Sequence, residues 1–172
     1  MIMEFMETVK NRFSCRKFSD RQVEPEKLDA ILEAGRLAPT AKNLQEQRVY
    51  VAQSAEALAK IDSASPCRYG APTVAVVAFD KNNVFTYPGG KRDSGAEDAA
   101  IVATHMILAA ADRGVDSCWI NFFDPEAMAT ALGLPENEEV LMLLDLGYGP
   151  EGTEPAPPHS MRKPLSETVT YI

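Results

Sequence analysis

The chain has 172 residues, the size of a single domain, and is long enough to bury a hydrophobic core without metal or disulfide bonds. Hydrophobic residues make up 45% and charged residues 24%, which is the composition of an ordinary globular protein rather than a disordered one. The net charge of −8, from 25 acidic and 17 basic residues, argues against a nucleic-acid partner and against an anionic membrane surface.

The first eighty residues alternate helical and strand patterns. The predicted elements are an amphipathic helix ending near Arg12, a helix from Pro25 to Pro39, a half-buried strand at 48–53, a helix capped by Ser54 and ending at Ile61, and a strand at 73–79. The last of these is a continuous apolar run, which is typical of a central strand buried on both faces.

After a loop at 81–95, the longest predicted helix spans residues 96–112 and is apolar almost all round. Such a helix must be covered on every side, so a subunit interface is expected. The remaining predicted elements are a strand at 115–120, a helix that starts at Asp124 and closes at Gly133, a strand at 139–148, an extended connection at 149–158 and a strand-like end at 168–172. No repeat or boundary divides the chain, which predicts one α+β domain over residues 1–172.

The sequence shows no pattern typical of a membrane span, a disulfide framework or a metal site. No apolar run approaches the roughly 18 residues of a membrane span, and no signal-peptide pattern opens the chain, so a cytoplasmic protein is expected. The cysteines Cys15, Cys67 and Cys118 are odd in number and form no CxxC pair, and two histidines are too few for a metal cluster. Cys15 and Cys118 are either buried packing residues or reactive thiols, and packing is the expected role.

Basic residues cluster near both ends of this acidic chain. Arg12, Ser14 and Arg16 lie at alternate positions, so in an extended segment their side chains leave on one face. Two guanidinium groups and a hydroxyl on one face suit a phosphate monoester, and Arg162 could join them from the C-terminal tail. The alternative is two solvated basic clusters that never meet.

A second candidate is the turn at 39–45, which carries the amides of Asn43 and Gln45 directly after a helix. A paired donor and acceptor matches the imide edge of a flavin or the edge of a nucleobase. The alternative is a polar turn that contains asparagine for its backbone preference. The segment has no glycine-rich phosphate-binding fingerprint.

Four motifs in order resemble those of the flavin-dependent nitroreductase family. They are RFSCRKF at 12–18, APTAKNLQ at 38–45, DAAIVATHM at 98–106 leading into GVDSCW at 114–119, and RKPL at 162–165. The resemblance spans nearly the whole chain. It implies a three-layer α+β fold with a central, mostly antiparallel sheet flanked by helices. It further implies an FMN-binding homodimer in which the C-terminal tail is exchanged and adds a strand to the partner's sheet.

The resemblance also implies a set of cofactor-binding residues and no catalytic side chain or metal. Arg12, Ser14 and Arg162 match residues that hold the FMN phosphate, with Phe13 in the same motif, and Arg16 matches a cation near N1/C2=O of the flavin. A cation there stabilises the negative charge of the reduced ring. The other matches are Pro39, Thr40 and Asn43 in a loop that touches the partner's flavin, Trp119, Ile120 and Asn121 near N5, and Lys163, which either adds attraction for phosphate or points to solvent.

The implied activity is hydride transfer from NADH or NADPH through flavin N5 to an electron-poor acceptor, such as a nitroaromatic or quinone, in a ping-pong mechanism. The chain has Gln45-Glu46-Gln47 where the family usually has Gln-Pro-Trp, which changes the loop wall with an added carboxylate. This departure motivates an alternative, an FMN-binding module that acts as flavin carrier, redox sensor or electron-transfer partner with little reductase turnover. A structural dimer without flavin is opposed by the arginine set, because clustered arginines repel one another without an anion.

Overall fold

A four-stranded antiparallel sheet forms the centre of the computed structural model, which describes residues 4–172. Its strands are β1 Gln47–Ala52, β2 Thr73–Asp80, β3 Asp116–Ile120 and β4 Glu138–Gly147. Their order across the sheet is β1-β2-β4-β3, so β2 and β4 are central. Both central strands are buried along nearly their whole length, as the continuous apolar run at 73–79 predicted for β2.

The helices of the described chain are α1 Phe5–Asn11, α2 Pro25–Arg36, α3 Ala55–Ala64, α4 Gly95–Asp112, α5 Pro125–Leu132 and α6 Leu165–Thr168. The helices α2, α3 and α5 begin where their caps and first-turn prolines predicted, but α3 continues three residues past the predicted end at Ile61, and the short helix α6 was not predicted. The Ser54 and Asp124 side chains accept the amide hydrogens that open α3 and α5. Gly133 closes α5 in the left-handed region that favours glycine, with φ of 70°.

The two faces of the sheet are covered by different helices, because successive side chains of a strand point to opposite faces. On one face Ala75 and Val77 pack with α2 and α4. On the other face Val74 and Val76 pack with α3 and α5. The predicted three-layer α+β architecture is therefore confirmed.

Helix α4 is covered on one side only within the protomer. There it contacts the sheet and α2, and Gly35 lies so close that a Cβ atom would be 2.8 Å from Met106. On the other side Ile101 stays 38% exposed, and the adjacent α1 exposes Phe5 and Met6. Residues 4–172 provide no cover for this apolar surface, and the expected second subunit stays a prediction. No helix among these residues, α4 included, has the length and apolarity to cross a bilayer.

The C-terminal end differs from the strand pattern seen at 168–172. Thr168 is the last residue of the short helix α6, so the strand prediction is wrong at that position. Residues 169–172 are exposed and pair with no strand of the described chain. Strand propensity alone does not make a strand without a neighbouring edge, and exchange of this tail with a partner subunit stays a prediction.

Candidate functional site

The segment 12–16 lies beside β3 in an extended conformation, which sets the direction of its side chains. Ser14 forms a parallel bridge with Ser117, and the Cys15 N–H donates to the Ser117 carbonyl at 2.9 Å. Cys15 is buried in the core, so its neighbours on either side point the other way. Arg12, Ser14 and Arg16 accordingly share one face, as their alternate spacing predicted.

A turn at Pro157–Ser160 brings the C-terminal tail against this face. The His159 Nε2 donates to the Lys10 carbonyl at 3.1 Å, and its ring meets Phe13 edge-on with centroids 6.4 Å apart. Arg162 follows this turn and donates from Nη1 to the Met161 carbonyl at 2.9 Å. These contacts place Arg162 next to a segment that is about 150 positions away in sequence.

The two basic clusters meet in one cavity of about 230 Å³. Its lining residues are Arg12, Ser14, Arg16, Ala156, Pro158, His159 and Arg162. Three guanidinium groups line it and no acidic side chain does. None of the three forms an ion pair with an acid anywhere in residues 4–172. The alternative of two separate solvated clusters is therefore wrong, and the cavity has the donors and charge for a doubly charged anion.

A larger groove of about 730 Å³ adjoins this cavity. Its lining residues are Val9, Lys10, Arg12, Thr104, Ile107, Leu108, Trp119, His159, Ser160 and Arg162. Arg12, His159 and Arg162 line both spaces. The groove is cationic at one end and apolar along the exposed side of α4, so the combined shape suits a ligand with an anionic end and an apolar, flat body.

Trp119, at the end of β3, is held in place through Asn121. Its Nε1 donates to the Asn121 Oδ1, and the Asn121 Nδ2 donates to the Leu141 carbonyl at 2.9 Å. The Ile120 side chain is buried in the core between them, so only the backbone of that residue faces outward. Of the three residues only Trp119 lines the groove, and the approach of this segment to flavin N5 stays a prediction.

The loop at 39–45 lies elsewhere in the protomer and lines neither space. Its Ala41 N–H donates to both oxygens of Asp98, near the start of α4. Thr104, where the groove begins, is six residues further along that helix, or about 9 Å. One protomer therefore does not bring Pro39, Thr40 and Asn43 to the arginine cavity, and their contact with a partner's cofactor stays a prediction.

The structure resolves the two alternatives for Lys163 and adds lining residues that were not predicted. Lys163 is exposed, pairs with Glu167 at 3.6 Å and lines neither space, so the structure favours its solvent-facing alternative. His159 lines both spaces, yet sequence reasoning did not assign it to the site. Its only signal was its place three residues before Arg162 in a proline-rich stretch. Thr104, Ile107 and Leu108 were also missed, although their spacing puts them on one helix face.

The buried thiols are unsuited to redox chemistry. Burial, followed by the nearby Asp145, raises the pKa of Cys118 to about 11, and burial also raises the pKa of Cys15. Both stay protonated at neutral pH, which confirms their expected packing role. Burial raises the pKa of Asp145 itself to about 8, with partial opposition from Arg68. Within residues 4–172 no group of histidine, cysteine and acidic side chains is arranged to hold a metal.

Comparisons with known proteins agree with this geometry. Residues 9–67 and 63–148 match the model of the Nitroreductase family. An NADH dehydrogenase/NAD(P)H nitroreductase of Archaeoglobus fulgidus is 31% identical over 151 residues, covering 84% of this chain and 85% of that protein. MhqN of Bacillus subtilis, named as an NAD(P)H nitroreductase, is 27% identical and covers 98% of this chain and 99% of its own.

Solved structures extend the likeness to the fold. A nitroreductase family protein of Clostridium difficile 630 superposes with a TM-score of 0.91 at 38% identity, covering 98% of each chain. A nitroreductase of Bacteroides fragilis, solved with bound FMN, has a TM-score of 0.78 at 28% identity and covers 99% of each chain. The likeness thus covers the sheet, the helices and the C-terminal turn that completes the arginine cavity.

Proposed function

Because the chain belongs to the nitroreductase family and is an oxidoreductase, we propose that it binds FMN and uses NAD(P)H to reduce an electron-poor acceptor. The proposed acceptors are nitroaromatic or quinone-like compounds, and the proposed mechanism is ping-pong, with both substrates using one place in turn. The relative from Bacteroides fragilis with bound FMN and the relatives named for NAD(P)H support this assignment.

The observation that carries the proposal is the cavity lined by three unpaired guanidinium groups. Arginines that line one space without an acid repel one another, and a phosphate dianion relieves that repulsion. Arg12, Ser14 and Arg162 would hold the FMN phosphate, and Arg16, on the same cavity, would place positive charge near the N1/C2=O edge of the ring. The adjoining apolar groove fits the remainder of such a ligand.

Bound FMN would supply the hydride chemistry, and the chain's own residues would bind, orient and exclude water. Trp119, held by Asn121, provides a fixed aromatic surface. Ile107 and Leu108 of α4 give the groove apolar walls, which strengthen electrostatic interactions by excluding water. In the proposed homodimer, the exposed side of α4 is covered and the loop at 39–45 of one protomer approaches the groove of the other.

One of the two reasons for the alternative, an FMN-binding module with little turnover, was the added carboxylate; the other, the absence of the family's aromatic residue at position 47, stands. The carboxylate of Glu46 was expected to alter the wall of the flavin loop. In the structure Glu46 is 0% exposed and its Oε1 accepts a hydrogen bond from Ser94 at 3.1 Å. It therefore adds no charge to the surface of the loop, and reductase activity is the function that the site supports best.

Turnover tests this proposal directly. Protein reconstituted with FMN is expected to oxidise NADH or NADPH when a nitroaromatic or quinone is present, with parallel double-reciprocal plots because the substrates bind in turn. The measurement follows NAD(P)H absorbance, and protein without FMN is the control. A bound flavin that neither NADH nor NADPH reduces would rule the proposal out.

A further inference from the structure

Two buried carboxyl groups lie beneath the loop at 39–45, outside the arginine cavity. Glu46, at the end of that loop, is 0% exposed, and Asp98, near the start of α4, is 4% exposed. No basic residue forms an ion pair with either among residues 4–172. Two buried acids without a cation require another way to be stabilised.

Neighbouring residues donate hydrogen bonds to both carboxyl groups. Ser94 Oγ accepts the Phe85 N–H at 3.2 Å, so its own hydrogen is free to be donated to Glu46 Oε1. The other oxygen, Glu46 Oε2, is buried and receives no hydrogen bond from the described residues. Asp98 lies one helical turn beyond Ser94 on α4, where its N–H donates to the Ser94 carbonyl at 2.8 Å, and a side-chain hydrogen bond between Asp98 and Glu46 contributes to the raised pKa of Glu46. The two oxygens of Asp98 accept the Ala41 N–H at 3.1 and 3.0 Å. Two carboxyl groups bond to each other only if one of them carries a proton.

The loop that this pair supports has an unfavourable backbone. Lys42, Asn43 and Gln45 all have φ between 52° and 56°, the left-handed region that residues with a Cβ atom rarely adopt. Backbone of this kind persists only where its surroundings hold it. The Gln45 N–H donates to Thr40 Oγ1 at 3.1 Å, and the Ala41 N–H donates to the Asp98 carboxyl group.

We propose that Glu46 and Asp98 share one proton and that this carboxyl pair is a pH-sensitive brace that positions the loop at 39–45. The shared proton completes a chain of hydrogen bonds from Phe85 through Ser94, Glu46 and Asp98 to Ala41. Its loss places two negative charges side by side in the interior and loosens the hold on the loop. Glu46 and Asp98 are positioning residues, because neither reaches the arginine cavity.

The electrostatic surroundings give the direction of the pH effect. Burial, followed by the hydrogen bond to Asp98, raises the pKa of Glu46 above its usual value. Asp98 on α4 is the ionisable group that faces this carboxyl, and Arg48 on β1 bonds the Glu46 backbone carbonyl instead. The 84–94 segment contributes the neutral Ser94 to Glu46 and also Tyr87, whose hydroxyl donates to Glu97 and interacts electrostatically with Asp98. A raised pKa means that the stabilisation is present at low pH and is lost as the pH rises through the folded-state pKa.

The brace is tested by amide hydrogen exchange of the FMN-free protein at several pH values, comparing the parent with Glu46→Gln at each pH. The glutamine side chain can accept a hydrogen bond from Ser94 and donate one to Asp98 without a titrating proton, so the support of the loop in this variant is expected to be independent of pH. At alkaline pH the Ala41 amide of the parent is expected to lose protection by about fivefold or more relative to Glu46→Gln, the effect of leaving a buried acceptor unsatisfied. At acidic pH the two proteins are expected to match.

Several controls keep the result specific. Asp98→Asn, which still accepts from Ala41 and donates to Glu46, is expected to reproduce Glu46→Gln and serves if that variant does not fold. The Ala57 amide, bonded to Ser54 Oγ far from the pair, and the variant Glu139→Gln at an exposed carboxyl should show no such change. Equal protection of Ala41 in parent and both variants across the pH range would overturn the brace.

The contact between this loop and the cofactor rests on the proposed function. FMN affinity is therefore measured as a second readout, which tests that contact separately from the brace. FMN affinity of the parent, relative to Glu46→Gln, is expected to fall over the pH range in which Ala41 loses protection. Loss of protection with unchanged affinity would keep the brace and contradict the proposed contact between this loop and the flavin. Unchanged protection would refute the brace and leave FMN binding at the arginine cavity standing.

Discussion

Replacing Arg12 or Arg162 with alanine is expected to weaken FMN binding by about 1.5–3 kcal/mol each, which is roughly a 10- to 150-fold rise in Kd. Both guanidinium groups line the anion cavity and the adjoining groove, and neither is paired with an acid of the described chain. Each therefore has donors available for a phosphate, and removing one leaves the phosphate with fewer charged hydrogen bonds. Flavin fluorescence titration measures the change.

A matched control lies one residue along the tail. Lys163 is exposed, pairs with Glu167 and lines neither space, so Lys163→Ala is expected to leave the Kd for FMN nearly unchanged. Parent-like affinity in both arginine variants would contradict the phosphate assignment. A loss in Lys163→Ala as large as that in Arg162→Ala would show that the tail attracts the cofactor by general charge rather than through this cavity.

The second large effect concerns stability and comes from Asp145. This residue is 0% exposed on β4, and neither of its carboxyl oxygens has a hydrogen-bond partner in the described chain. Burial raises its pKa from the usual 3.8 to about 8. Because the folded-state pKa is raised, its contribution to stability is present below about pH 4 and is lost as the pH rises through about 8. At about 1.4 kcal/mol per pKa unit, the loss is on the order of 4–6 kcal/mol.

Asp145→Asn keeps the size of the side chain and removes the titrating proton. The free energy of unfolding of the parent is expected to fall more steeply from pH 5 to pH 9 than that of the variant, and above pH 8 the variant is expected to be the more stable. Urea denaturation at several pH values measures both slopes, and the effect of Glu46 cancels in the comparison. Parallel slopes would show that Asp145 does not titrate in this range, and Asp29→Asn, at an exposed carboxyl, is the control.

Elements governed by local signals could be predicted from the sequence. The caps Ser54 and Asp124, the first-turn prolines and the apolar runs of the central strands act within a few residues, so helix starts and central strands followed from them. The end of α3 carries no such signal, and the helix runs to Ala64 rather than to the predicted Ile61. The alternate spacing of Arg12, Ser14 and Arg16 likewise gave their shared face once the segment was extended.

Features set by distant contacts could not be predicted in this way. Burial of Glu46 depends on Ser94 and Asp98, which lie about 50 positions away, whereas a carboxylate in a polar turn is usually exposed. His159 reaches the site only because its turn packs on Lys10, and nothing near it in sequence signals that contact. The meeting of Arg162 with Arg12 was expected through the family resemblance, since residue types alone favoured two separate solvated clusters.

The central claim is that the arginine cavity and its groove bind FMN in a form that NAD(P)H reduces. An anaerobic absorbance titration of the purified, FMN-loaded protein with NADH and NADPH tests it most directly. The account predicts saturable FMN binding and bleaching of the flavin absorbance by at least one of the two nucleotides. Failure to bind FMN, or bound flavin whose absorbance neither nucleotide changes, would contradict it.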